Sequence, residues 1–207
     1  MSHVIRELLE AVALALLVFF VIQLSVQNFR VEGHSMHPTL DSGEYLIVNK
    51  LPYFRVDMAR LSRLIPFWEV EEEQHRYLPL AHEPNRGDVI VFQAPNSPGR
   101  DFVKRVIGLP GERVRIAGGE IYIDGEKLAQ KYVAEADLDD DVDCVPRTRG
   151  CVLGGDQYFV LGDNRDQSSD SRDWGPVDLR EIVGKVWFVY WPPDNLPFLE
   201  SLGESLR

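Results

Sequence analysis

Positive charge is scarce in this sequence. It holds 22 Lys and Arg against 33 Asp and Glu over 207 residues, a formal net charge of -11. Gripping phosphate takes clustered Lys and Arg, so the balance argues against a nucleic-acid partner. Cysteine is nearly absent, with only Cys144 and Cys151. That excludes a disulfide-rich scaffold, and with no histidine beside the pair it disfavours a zinc centre. No metal site and no cofactor are expected. The two cysteines flank VPRTRG. A pair so close reads as a small disulfide loop in an oxidising compartment, with two free thiols as the alternative. Residues 135–143 (EADLDDDVD) concentrate the acidity. They lack the glycine and distant glutamate of a calcium loop and read as a solvated segment. There is no Gly-x-Ser-x-Gly elbow, no internal repeat and no low-complexity tract.

Long apolar runs are also scarce, with one conspicuous exception near the amino terminus. Residues 8–26 (LLEAVALALLVFFVIQLSV) are apolar apart from Glu10, Gln23 and Ser25. About 20 residues of helix cross a bilayer core of about 30 Å, so the run suffices for one span. No small-x-small site follows it, which favours an uncut anchor over a removable leader. Arg6 and Arg30 flank the run almost symmetrically, so charge does not orient it. The cysteine pair favours an outer location for the rest of the chain.

Beyond the anchor, short runs bounded by turn residues predict strands at 45–48, 88–92, 102–107, 113–116, 120–123, 158–161 and 182–191. Asp124-Gly125 adds a hairpin signal. The fold class is therefore mainly β: antiparallel sheets forming a distorted barrel-like domain with a small β cap, plus the N-terminal transmembrane helix. The expected division is a short tail at 1–7, the anchor at 8–26, a main β-domain from 27–111 and 157–207, and a cap at 112–156. Residues 51–85 carry no clear period and read as an insertion. Its aromatic pieces, 52–54 and 66–68, rest either on a membrane surface or on the core.

Three segments carry the chemistry. Lys104 lies in a strand-like run, sharing a face with Phe102 and Val106. Burial there would disfavour its charge. At a pKa of about 10.4, roughly one amine in a thousand is neutral near pH 7.4. A drop of about 3 units would free half of them, at about 4 kcal/mol to the fold. A neutral amine can take a proton from serine. The bland alternative is an edge lysine with its charge in water. Ser35, in the turn-rich loop GHSMHPTL, is exposed enough to attack or is merely a turn former. The third segment, residues 162–172 (GDNRDQSSDSR), is either an Asx-rich turn network or a scaffold for the lysine. In the scaffold reading Ser168 bonds the Lys104 amine, and Asp170 and Arg172 pair with each other or with Arg105.

Together these segments resemble the signature boxes of the bacterial type I signal peptidases. SMHPTL (35–40), RGDVIVF (86–92), KRVIGLPG (104–111) and GDNRDQSSDSR (162–172) follow an anchor in that family's order. The resemblance implies a membrane-anchored serine endopeptidase that removes signal peptides from exported precursors. It would cut after an Ala-x-Ala-like site through an acyl-enzyme. By the same resemblance Ser35 would be the nucleophile, with its backbone N–H in the oxyanion hole, and Lys104 the general base. Ser168 would orient the lysine, with Asp170, Arg172 and Arg105 as support. Phe29, Val31, Met36, Leu40, Leu46, Val91, Phe102 and Val103 would wall the substrate pockets. The resemblance also implies a single-pass protein of the bacterial inner membrane with its catalytic domain outside. Its partners would be signal-bearing precursors and membrane lipid, with no nucleic acid. Gly33 stands where some members carry a serine that donates to the oxyanion, and the 112–156 segment is shorter than the family's usual second β-domain.

Three rivals are set against this reading. A Ser-His-Asp hydrolase would draw on His34, His37, His75 or His82. A self-cleaving Ser-Lys repressor would need a DNA-binding region. A tethered β-domain that only binds exported peptides would leave precursors uncut.

Overall fold

The computed structural model of the protein describes residues 2–51, 55–57, 77–79, 83–95, 97, 99–129 and 151–192. Helix α1 (Ser2–Ser25) carries the apolar run. It begins ahead of the expected boundary at residue 8, because His3 to Glu7 continue the helix and Arg6 pairs with Glu10 one turn on, at 3.0 Å. It also ends earlier, since Val26 already belongs to strand β1 (Val26–Arg30). At about 1.5 Å per residue the helix is about 36 Å long, enough for a bilayer core. Its apolar side chains are exposed from Val4 to Leu24.

The remaining strands of the main sheet are β2 (Tyr45–Asn49), β5 (Val89–Gln93), β6 (Asp101–Gly108), β10 (Gln157–Leu161), β11 (Val177–Asp178) and β12 (Ile182–Trp191). With β1 they form one seven-stranded antiparallel sheet in the order β1-β2-β12-β5-β6-β10-β11. The sheet does not close: β1 and β11 are its edges. Register shifts where β12 meets β2 and β5, and where β10 meets β6, are the bulges that bend such a sheet. Within the 51–85 insertion, β3 (Arg55–Asp57) pairs with β4 (Tyr77–Pro79). The aromatic pieces at 52–54 and 66–68 lie outside the described residues. In the cap, β7 (Val114–Ala117), β8 (Glu120–Ile123) and β9 (Glu126–Lys127) make a meander.

Three apolar clusters hold these pieces together. Val114, Ile116 and Ile121 of the cap pack with Ile107, Phe159 and Leu161 of the main sheet. The β7–β8–β9 meander therefore shares its core with the main sheet. A second cluster joins Ile90, Phe92, Val106, Tyr158, Val160 and Trp174. The third, Val31, Met36, Leu40, Leu46, Val48 and Val91, lies under the loop that carries Ser35. Strand β6 is covered on both faces from Lys104 onward, so 104–108 are buried without alternation. Its partner β10 reaches only from Arg105 to Gly108. Among the described residues, the edge of 101–104 on that side carries no strand.

Candidate active site

Ser35 sits in the loop between β1 and β2. The loop is closed at its base by Val31 N–H to Glu44 O (2.8 Å) and Gly43 N–H to Val31 O (2.9 Å). Met36 and Leu40 plug into the cluster below, and Leu40 N–H bonds Met36 O at 2.9 Å. These two residues were expected in the pocket wall; they are instead the buried pins of the loop. The opposite hand on Ser35 comes from the third segment: Asn164 N–H donates to Ser35 O at 3.1 Å.

Lys104 reaches this loop from β6. Its Nζ donates to Ser35 Oγ at 2.7 Å and to Val103 O at 3.0 Å, and lies 5.6 Å from the Phe102 ring centre. The residue is only 4% exposed. Burial pulls its pKa down from 10.5 to about 8, against the opposing pull of the Asp170 and then the Asp163 carboxylates. At that value about one amine in five is neutral near pH 7.4.

Around the amine lies a buried ionic scaffold. Arg105 grips Asp163 bidentately, Nε to Oδ1 at 2.8 Å and NH2 to Oδ2 at 2.6 Å, and also donates to Gly87 O and Thr39 Oγ1. Arg172 grips Asp170 the same way, at 2.9 and 3.1 Å, and donates to the carbonyls of Arg165 and Ser168. Asp170 caps the short helix α2 (Ser171–Trp174) and accepts from Gly162 N–H at 3.1 Å. The expected Asp170–Arg172 pair is thus formed, whereas Arg105 takes Asp163, a residue to which the sequence assigned no role. The expected bond from Ser168 to Lys104 is not formed. Ser168 Oγ is buried without a hydrogen-bond partner, because the amine is directed at Ser35 Oγ and Val103 O. Gly162 explains how tightly the segment docks: a Cβ there would stand 2.2 Å from Ser168 Oγ and 2.4 Å from Ser35 O.

Ser35 and Lys104 open into a cleft of about 590 Å³. Six of the eight expected wall residues line it: Phe29, Val31, Leu46, Val91, Phe102 and Val103. Sequence reasoning missed the polar rim of Arg30, Glu32, Arg100, Asp101 and Ser169. Adjacency to predicted wall residues could have signalled Arg30, Glu32 and Asp101, but not Arg100 or Ser169. His37 Nδ1 lies 2.8 Å from Asp41 Oδ1, but the pair is exposed and makes no bond to Ser35. Among the described residues no group of three or more His, Cys, Asp or Glu could hold a metal ion. Cys151 is disulfide-bonded, and Cys144 lies outside the described residues.

Comparison with known proteins adds independent findings. A family described as "Signal peptidase, peptidase S26" matches residues 4–191. A signal peptidase I of Bacillus caldolyticus is 38% identical, over 83% of this chain and 82% of the relative. Another, of Pseudomonas aeruginosa, is 32% identical over 86% of this chain and 71% of the relative. A crystal structure of a signal peptidase I from Enterococcus faecalis is 33% identical with a TM-score of 0.46, covering 51% of this chain and 97% of that one.

Proposed function

Because the chain belongs to the signal peptidase family, peptidase S26, its activity is the removal of signal peptides from exported precursors by a serine endopeptidase, and we propose that Ser35 and Lys104 carry it out as a nucleophile–base dyad. The observation that carries this reading is a nearly inaccessible amine within 2.7 Å of a loop hydroxyl. Neutral Lys104 accepts the Ser35 proton as Oγ attacks the scissile carbonyl carbon. The carbonyl oxygen takes the negative charge, facing the Ser35 backbone N–H. The lysine ammonium then protonates the departing amine, leaving an acyl-enzyme on Oγ. Neutral Lys104 next deprotonates a water, which attacks the ester; the Lys104 ammonium then returns the proton to the departing Ser35 Oγ, and the signal peptide leaves as an acid that ionises to a carboxylate. Gly33 adds no side-chain donor, and its N–H is engaged with Ser42 Oγ at 3.3 Å.

The substrate adds as an extended strand along the 101–104 edge of β6, where β10 stops short. Alternate side chains of such a strand face one way. The first and third residues before the cut therefore enter the cleft walled by Phe29, Val31, Leu46, Val91, Phe102 and Val103, which favours small side chains there. Asp170, Arg172, Asp163 and Arg105 hold Lys104 in place.

The protein is anchored by a single pass of α1, with the β-domain on the outer face of the inner membrane. An outer compartment is one in which the disulfide at Cys151 persists. Trp187 (65% exposed), Phe188 and Trp191 lie on β12, one strand removed from the β1 into which the anchor leads. Aromatic rings of this kind favour the lipid interface. The test is cleavage of a full-length precursor bearing an Ala-x-Ala site, in detergent. Ser35→Ala should abolish the cut with the fold retained; unimpaired cleavage by that variant ends the reading.

A further inference from the structure

The dyad works only at one separation. Ser35 Oγ and Lys104 Nζ stand 2.7 Å apart, and direct proton transfer needs about 2.6–3.2 Å. The two groups come from different parts of the chain, Ser35 from the β1–β2 loop and Lys104 from β6. Met36 and Leu40 hold the loop down by apolar burial. That force has no direction, so by itself it does not aim a hydroxyl at an amine. Hydrogen bonds do, because they are restricted in both length and angle.

Thr39 lies in the same loop as Ser35. The residue is exposed, yet its hydroxyl turns inward. Thr39 Oγ1 donates to Asp163 Oδ2 at 2.5 Å and accepts from Arg105 NH2 at 3.1 Å. Arg105 NH2 also donates to that same Asp163 Oδ2, at 2.6 Å, which closes a ring of three hydrogen bonds. A guanidinium only donates and a carboxylate only accepts, so the third corner of such a ring needs a group that does both, as a hydroxyl does. Each partner of Thr39 is next in sequence to a residue that touches Ser35. Arg105 follows Lys104, which donates to Ser35 Oγ. Asp163 precedes Asn164, whose N–H donates to Ser35 O at 3.1 Å. The ring is thus where the nucleophile loop, β6 and the third segment are fastened together. Adjacent side chains leave a strand on opposite faces, so the loop meets β6 twice: through Ser35 at Lys104 and through Thr39 at Arg105.

We infer that Thr39 is a positioning residue for Ser35: its hydroxyl, bonded at once to Asp163 and Arg105, sets where the nucleophile stands against the Lys104 amine. The inference rests on the proposed dyad. Asp163→Ala removes one of the two bonds of Thr39 and keeps the one from Arg105, so the tie is cut cleanly only at Thr39 itself.

The test is cleavage of an Ala-x-Ala precursor by the full-length protein in detergent, with kcat and KM measured at a temperature where each variant is folded. Thr39→Val keeps the side-chain shape and removes both bonds. It should lower kcat about 10- to 100-fold with KM nearly unchanged, as a displaced nucleophile requires. Thr39→Ser keeps the hydroxyl and should hold kcat within about threefold of wild type. A purely structural role would lower the urea midpoint of Thr39→Val and leave the kcat of the folded enzyme as it was, and that result overturns the inference. So would a raised KM at unchanged kcat, which would make Thr39 a substrate contact. A Thr39→Ser variant as slow as Thr39→Val would assign the effect to the methyl group, and failure of Thr39→Val to fold would assign the hydroxyl to the fold; either overturns the inference. None of these results touches the dyad, which falls instead if Ser35→Ala cleaves unimpaired.

Discussion

Lys104 and Arg105 are neighbours on one strand, both basic and both at or below 5% exposure, yet their surroundings treat charge in opposite ways. Arg105 meets Asp163 fork to fork, with Thr39 Oγ1 and the Gly87 carbonyl accepting further hydrogen bonds. Lys104 meets a hydroxyl and one carbonyl. Guanidinium holds its proton at any ordinary pH and fits a carboxylate in two places, which suits it to structure. An amine is compact and loses its proton readily when desolvated, which suits it to proton transfer. The change in character coincides with the point where β10 begins to pair with β6. Before it no described strand pairs on that edge; after it the strand is part of the core.

The largest effect should come from breaking the Lys104 side. Lys104→Met should lower kcat about 10⁴-fold on a precursor substrate, the scale seen when one member of a catalytic unit is lost. Retention of most activity would show that the amine is not the base.

Breaking the Arg105 side should hurt folding rather than chemistry. Asp163→Ala removes the carboxylate that the buried Arg105 guanidinium grips, at about 3–5 kcal/mol of stability read by urea unfolding. A change below about 1 kcal/mol would mean that the pair is not the brace described here.

The contrast should also appear in stability against pH. Below pH 8, folded and unfolded chains both carry the Lys104 charge, and the folded one bears its whole burial penalty. Between pH 8 and 10.5 the unfolded chain binds more protons, so this residue makes stability rise with pH. Wild type should therefore gain roughly 3 kcal/mol on Lys104→Met across that window. A constant difference would place the amine in water.

Gly162→Ala tests the shared support of both residues. The added Cβ must displace Ser168 or the Ser35 carbonyl, and misplacing the nucleophile by that much should cost about 10²-fold in kcat, with little change in KM. An unaltered kcat would show that the loop has room to shift.

Seven strand runs were legible in the sequence because apolar stretches bounded by turn residues coincide with buried sheet positions. Strand β1 was not, since no turn residue separates it from the anchor and its apolar start reads as helix. Ser35 and Lys104 were legible through the boxes that carry them. The partnership of Arg105 with Asp163 was not, because sequence spacing cannot say which of two aspartates, Asp163 or Asp170, a long side chain will reach. Met36 and Leu40 show the same limit: they flank Ser35, but the tight turn directs them into the core. Ser168 was expected to bond the Lys104 amine, but its Oγ is buried without a hydrogen-bond partner while the amine donates to Ser35 Oγ and Val103 O.

The direct passage from Ser25 to Val26 has a mechanical consequence. No linker residue separates the helix from the sheet, so the spacing between the end of the helix and the Ser35 loop is set by one short strand, about 17 Å long. A tethered tool of this kind works at one height. It would select its target bond by how far that bond stands from the precursor's own embedded segment, as a gauge does, before any side chain is inspected.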